Sequence, residues 1–154
     1  MIIFKKTMIL FLLTVTASCG YVPLNNSEKV SFYINEIEFS GDRKVNNYIL
    51  NNLKKFQNFK ESGKKYDLIV SSEYTKKIAN KDNSGNAKNY NISIELKIDL
   101  TSSDGNSINK SFRRNVNLEA KSKKIEEKEL EDKYKKDLSN LLGQDIIFFL
   151  TNSL

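Results

Sequence analysis

The residue with the most chemistry to offer is Cys19, the only cysteine in the chain. It closes the run Val15-Thr16-Ala17-Ser18-Cys19, behind an apolar stretch from Met8 to Ala17 and a basic start at Lys5 and Lys6. This is the layout of a bacterial lipoprotein signal. Ala17 and Ser18 are small enough for a peptidase to reach the bond before Cys19, which becomes the first residue of the mature chain. Thr16 is less typical than Leu at the first position of such a box. The apolar stretch is about ten residues, or about 15 Å of helix, which is half of what a hydrocarbon core requires. It therefore reads as a signal peptide and not as a spanning anchor.

The rival reading is an ordinary secretory signal with an incidental cysteine. A lone cysteine cannot form an internal disulfide, and a free thiol is unusual in an exported protein. Lipidation accounts both for the single cysteine and for its position. A diacylglycerol thioether on Cys19 plus an acyl chain on its α-amine supplies three chains. One chain anchors only marginally at about 0.8 kcal/mol per buried methylene, so three hold the protein stably.

Composition narrows the remaining chemistry. The 154 residues carry 25 Lys and Arg against 19 Asp and Glu, with no His and no Trp. Loss of Lys5 and Lys6 takes the net charge from +6 to +4. That balance is too mild for a nucleic-acid binder, and an exported protein does not meet nucleic acid. Without histidine, and with its one thiol taken by lipid, the chain lacks the commonest general base, imidazole metal ligands and a thiol nucleophile. No Gly-x-Ser-x-Gly, phosphate-cradling glycine loop or calcium loop is present. An enzyme built only on Asp, Glu, Ser and Lys is possible, but nothing in the sequence points to one, and no catalytic residues, metal site or cofactor are expected.

Residues 1–18 are thus read as signal, 19–28 as a lipidated tether holding the only proline, Pro23, and 29–154 as a single domain. A first strand covers 29–40. Val30, Phe32 and Ile34 share one parity and Ile37 and Phe39 the other, which places a β-bulge near Asn35-Glu36. Asp42 is the expected N-cap of a helix over 43–58, striped by Val45, Tyr48, Ile49, Leu53 and Phe56. Asn46, Asn47, Asn51 and Asn52 weaken its intrinsic propensity, so it depends on packing.

A second strand spans 67–78, with Leu68, Val70, Tyr74 and Ile78 on one parity and Ile69 expected buried on the other. After a polar loop at 80–88, Tyr90 to Leu100 alternate apolar and polar, giving one buried and one wet face. The Asp104-Gly105 turn leads to a fourth strand over 107–118, with Ile108, Phe112, Val116 and Leu118 on a face interrupted by Lys110 and Arg114. The last element is a helix over 125–151, with Leu130, Tyr134, Leu138, Leu141, Leu142, Ile146, Phe149 and Leu150 at helical spacing. Its charged first turns read as a solvated face. Ile146 to Leu150 is apolar all round, which predicts an end enclosed on more than one side. The fold class that follows is α+β: a two-layer sandwich in the order β-α-β-β-β-α, with two helices on one face of a mostly antiparallel four-stranded sheet. The second sheet face is polar and open.

The mature start Cys19-Gly20-Tyr21-Val22-Pro23-Leu24 resembles the opening of the LptE family of lipopolysaccharide-assembly lipoproteins, where Cys-Gly-aromatic-x-Pro-Leu is common. The element order matches that family's layout along the whole mature chain. Asn25 departs from it, where Tyr is frequent. The resemblance implies a lipid-anchored protein of the outer membrane's periplasmic leaflet that is not an enzyme, plugs an LptD-type β-barrel and assists lipopolysaccharide assembly. Gly20 lacks the Asp-type inner-membrane retention signal, in keeping with that address. Lipopolysaccharide carries clustered phosphates, which Lys and Arg bind by charge-assisted hydrogen bonds. The candidates are Lys76, Lys77, Lys81 and Lys88 around the hairpin between the second and third strands and Arg113 and Arg114 on the fourth strand, each with ordinary surface pairing as its bland alternative. Phe32, Phe56, Tyr74 and Phe112 read as core, and Tyr21 and Leu24 as packing for the tether. The alternative function is an accessory lipoprotein of another envelope machine, a secretin pilot or a barrel-assembly component. A lipid-anchored hydrolase is disfavoured by the missing histidine.

Overall fold

The computed structural model describes residues 32–57 and 63–153. The signal, Cys19, the tether and Val30 lie outside them. Strand β1 (Phe32–Gly41) leads into helix α1 (Arg43–Leu53) and a 3-10 turn (Lys54–Gln57). Strands β2 (Lys64–Lys81), β3 (Ala87–Ser102) and β4 (Ser107–Glu119) follow, and helix α2 (Lys124–Ser153) ends the chain. The strands lie in the order β1-β2-β3-β4. β1 runs parallel to β2, with α1 as the crossover, and the other two pairings are antiparallel. Both helices cover one face of the sheet, as the alternation of β3 required.

The bulge falls where the parity switch put it. The register of β1 on β2 shifts between Ile34 and Glu36. One extra residue returns Ile37 and Phe39 to the same face as Phe32 and Ile34, so all four reach the core. Asp42 caps α1 as expected, its carboxylate accepting the Val45 N–H at 3.0 Å. The junction before it requires glycine. Gly41 has φ of +93°, and a Cβ there would lie 1.8 Å from the Ser72 carbonyl oxygen. The same carbonyl accepts the Asp42 N–H at 3.2 Å.

The core joins Val45, Ile49, Leu53 and Phe56 to Ile92, Ile94, Leu96, Ile98 and Leu100 of β3 and to Leu138, Leu142, Ile146 and Leu150 of α2. Phe32 and Phe56 stack at 5.4 Å. The asparagines that weaken α1 are used in packing. Asn46 donates to the Ser40 carbonyl at 3.0 Å and accepts from the Ser72 hydroxyl at 2.7 Å. Asn52 donates to Asn140 at 3.2 Å beside Gly143, where an added Cβ would meet it at 3.1 Å. Gly143 is the small residue that lets the helices approach so closely there.

Five expectations are corrected. Ile69 is 46% exposed, because none of the described residues forms a layer over the second sheet face. Ile78 is exposed because Glu127, in the first turn of α2, already reaches Lys76, so Ile78 lies past the helix. Ile108 starts an edge strand and remains exposed. Leu141 is exposed because its side of α2 faces neither the sheet nor α1. The apolar end of α2 is not enclosed: Ile146 and Leu150 are buried, but Phe148 is 60% exposed.

Candidate functional site

The parity of β2 and β4 separates the candidate cations. Lys76 and Arg114 point toward the helices, while Lys77 and Arg113 occupy the second face of the sheet. Lys76 is drawn into a network beneath the first half of α2. Its Nζ lies 2.7 Å from Glu131 and 3.1 Å from Glu127, and 4.2 Å from the centre of the Tyr90 ring. The Tyr74 hydroxyl donates to Glu131 at 2.6 Å. Lys135 sits 3.6 Å over the Tyr74 ring and 3.2 Å from Asp42, the cap of α1. Glu127 also accepts the Lys121 backbone N–H at 3.2 Å. Five charges and a phenol thus tie the cap of α1, the middle of β2 and the first half of α2 together.

Electrostatics agree with the geometry. Burial raises the pKa values of Glu127 and Glu131, but hydrogen bonds from Lys76 and their other donors outweigh it, and both end below the ordinary carboxylate range. Asp42 follows the same pattern through Val45 and Lys135. Burial opposes the charge of Lys76, yet its two carboxylate partners raise its pKa. Burial and the Glu131 carboxylate hold the Tyr74 phenol protonated well above its usual range.

The solvated-face reading of the first turns of α2 missed this network. The signal was present, because Glu127, Glu131 and Lys135 are spaced by four residues and continue the stripe of Leu138, Leu142 and Ile146. Arg114 is held similarly, by two bonds to Asp145 at 2.7 and 2.9 Å.

The remaining candidates are freer. Lys77 and Lys81 make no ion pair among the described residues. Lys88 faces Glu119, whose carboxylate is engaged by Lys121 at 2.7 Å. Asp82, next to Lys81, turns inward on its own loop and accepts the N–H groups of Ser84 and Asn86 at 2.9 and 2.8 Å. Arg113 donates one N–H to Ser93 at 3.0 Å. Lys77, Lys81 and Lys88 therefore lie along the β2–β3 hairpin end, Lys77 on the second face and Lys88, by its parity with Tyr90 and Ile92, on the helix side, with nearby acids already occupied. Arg113 is remote from them, in register with Glu95, which opposes Glu73. Phe32 of β1 pairs with Lys64 at the start of β2, so the chain enters the sheet at the end opposite the hairpin. The 18 residues of β2 put roughly 55 Å between the two ends. Among the described residues no group of acids could hold a metal ion, and no helix is long and apolar enough to cross a membrane.

In fold, the chain is similar to bacterial lipoproteins. The lipoprotein B structure from Nitrosomonas europaea matches with a TM-score of 0.56 at 12% identity, over 79% of this chain and 86% of that one. Rare lipoprotein B from Shewanella oneidensis matches at 0.54 and 9% identity, over 77% and 96%. A minor lipoprotein from Acinetobacter baumannii matches at 0.53 and 10% identity, over 77% and 92%. No family model and no curated protein matches the sequence. At such identities the likeness extends to the fold alone.

Proposed function

We propose that this protein is a non-enzymatic, lipid-anchored subunit of the lipopolysaccharide translocon. It sits in the periplasmic leaflet of the outer membrane, plugs an LptD-type β-barrel and assists lipopolysaccharide assembly. The observation that carries the reading is the hairpin end of the sheet. Lys77 and Lys81 stand there with no ion pair among the described residues, and Lys88 shares Glu119 with Lys121, at the end remote from the chain's entry into β1. A domain tethered through Cys19 would present these ammonium groups away from its anchor. Clustered lipid phosphates are a matching ligand, because an ammonium-to-phosphate hydrogen bond is charge-assisted and tolerates many geometries. The lipobox at Cys19, the opening Cys19-Gly20-Tyr21-Val22-Pro23-Leu24 and a fold shared with bacterial lipoproteins support the same reading.

The test is gentle detergent extraction of the full chain from its native membrane. Copurification with a large β-barrel and bound lipopolysaccharide is expected. Replacing Lys77, Lys81 and Lys88 together by Glu should weaken lipopolysaccharide binding at least tenfold without changing thermal stability. Recovery of the chain alone overturns the reading, and recovery with a secretin or a barrel-assembly pore replaces it with the accessory alternative. Replacing Cys19 by Ala should abolish acyl labelling.

A further inference from the structure

We infer that the outer edge of β4 and the adjoining groove form a docking site for an extended, acidic segment of a partner protein, which would pair with β4 as an added strand. Three features coincide there. First, among the described residues β4 pairs only with β3, leaving the outer N–H and C=O groups of a 13-residue strand unpaired. The strand has no proline, glycine or register shift along its pairing with β3, and its edge is guarded only by the charges of Lys110, Arg113 and Arg114. Second, a groove of about 470 Å³ runs between β4 and the end of α2, floored by Phe112, Phe148 and Phe149. Phe112 and Phe149 meet edge to face at 6.1 Å, and Phe148 beside them is 60% exposed. Third, Lys110 borders this groove and Arg113 stands on the opposite face of the same edge strand, neither in an ion pair among the described residues, whereas Arg114 is already neutralised by Asp145.

An unpaired edge, an apolar groove on one face and a cation on the other are what an incoming strand with alternating aliphatic and acidic side chains satisfies, its aliphatic side chains toward Phe112 and Phe148 and its acids toward Arg113. Backbone pairing supplies affinity and the pockets supply selectivity. The charges also decide against a second copy as the occupant. Antiparallel self-pairing of β4 centred on Phe112 sets Lys110 opposite Arg114 of the second copy at both ends of the contact, and like charges directly opposite destabilise a sheet. The site uses different residues from the lysine end of the hairpin, so it stands or falls separately from the lipopolysaccharide reading.

The experiment uses the full chain in detergent micelles and three capped octapeptides: four Glu-Val repeats, four Lys-Val repeats and four Glu-Pro repeats. Fluorescence anisotropy should show the Glu-Val peptide binding at least tenfold more tightly than the other two. Hydrogen exchange should slow at β4 amides in its presence. Phe148→Ser, and separately the pair Lys110→Glu with Arg113→Glu, should each weaken it tenfold or more, while Lys77→Glu with Lys81→Glu leaves it unchanged. Equal binding of the Lys-Val or Glu-Pro peptide overturns the proposal, as does indifference to Phe148→Ser. A concentration-dependent dimer abolished by Phe148→Ser overturns it in favour of a second copy.

Discussion

The two halves of α2 rest on the same sheet by different physics. From Leu138 onward the contact stripe is Leu138, Leu142, Ile146 and Leu150, all buried against α1 and β3. Before it, the same stripe is Glu127, Glu131 and Lys135, docked on Lys76, Tyr74 and Asp42. Apolar docking is non-directional and gains from every methylene removed from water. Ionic docking must first overcome the desolvation of each charge, so its net contribution is smaller and depends on all partners being present. The polar half therefore contributes register and orientation, and the apolar half contributes most of the holding energy.

Two substitutions separate these contributions. Leu142→Ala should give the larger loss, about 2–5 kcal/mol, because Leu142 is fully buried and little can collapse into the space. That loss should be insensitive to salt in urea unfolding. Glu131→Gln should cost less, about 1–3 kcal/mol, since it leaves Lys76 with Glu127 alone and weakens the bond to Tyr74. Its cost should shrink as ionic strength rises, because the pair is only partly buried. Equal salt dependence in the two variants would break the distinction between the halves.

The apolar half was legible in the sequence and the polar half was not. The strict alternation of β3 set which face the helices cover, and the parity slip at Asn35-Glu36 located the bulge. Charged side chains at helical spacing carry no such direction. Glu127, Glu131 and Lys135 are indistinguishable in sequence from Glu126, Glu129 and Lys133 until a stripe is drawn back from Leu142. Tertiary partners on β2 select which of them is buried. The candidate cations were blurred likewise, since Lys76 and Lys77 differ only by strand parity, yet one is enclosed and the other free. The exposure of Phe148 was illegible because an apolar helix end looks the same whether a neighbour in the chain covers it or not.

Protonation distinguishes the halves by a smaller effect. The carboxyls of Asp42, Glu127 and Glu131 are held below their ordinary values in the folded protein. Their contribution is fully present above the ordinary carboxylate range and is lost as pH falls through their lowered values. Lys76, held above its ordinary value, contributes fully below that value and loses the contribution as pH rises through the raised one. Native-state hydrogen exchange should therefore show amides from Glu127 to Lys135 losing protection in acid before those from Leu138 to Leu150. Simultaneous loss along the whole helix would show that the two halves act as one cooperative unit.

The smallest effect is expected at Phe148, and it tests where the apolar half ends. Phe148 shares the helix with Ile146 and Leu150 but is largely exposed. If the stripe alone holds α2, Phe148→Ser should change unfolding free energy by no more than about 0.5 kcal/mol, as for surface positions generally. A loss approaching that of Leu142→Ala would mean that Phe148 already packs on something within the chain, and the groove beside β4 would not be open. A neutral result leaves a large aromatic side chain kept in water without helping the fold, which is the behaviour of a contact awaiting a partner.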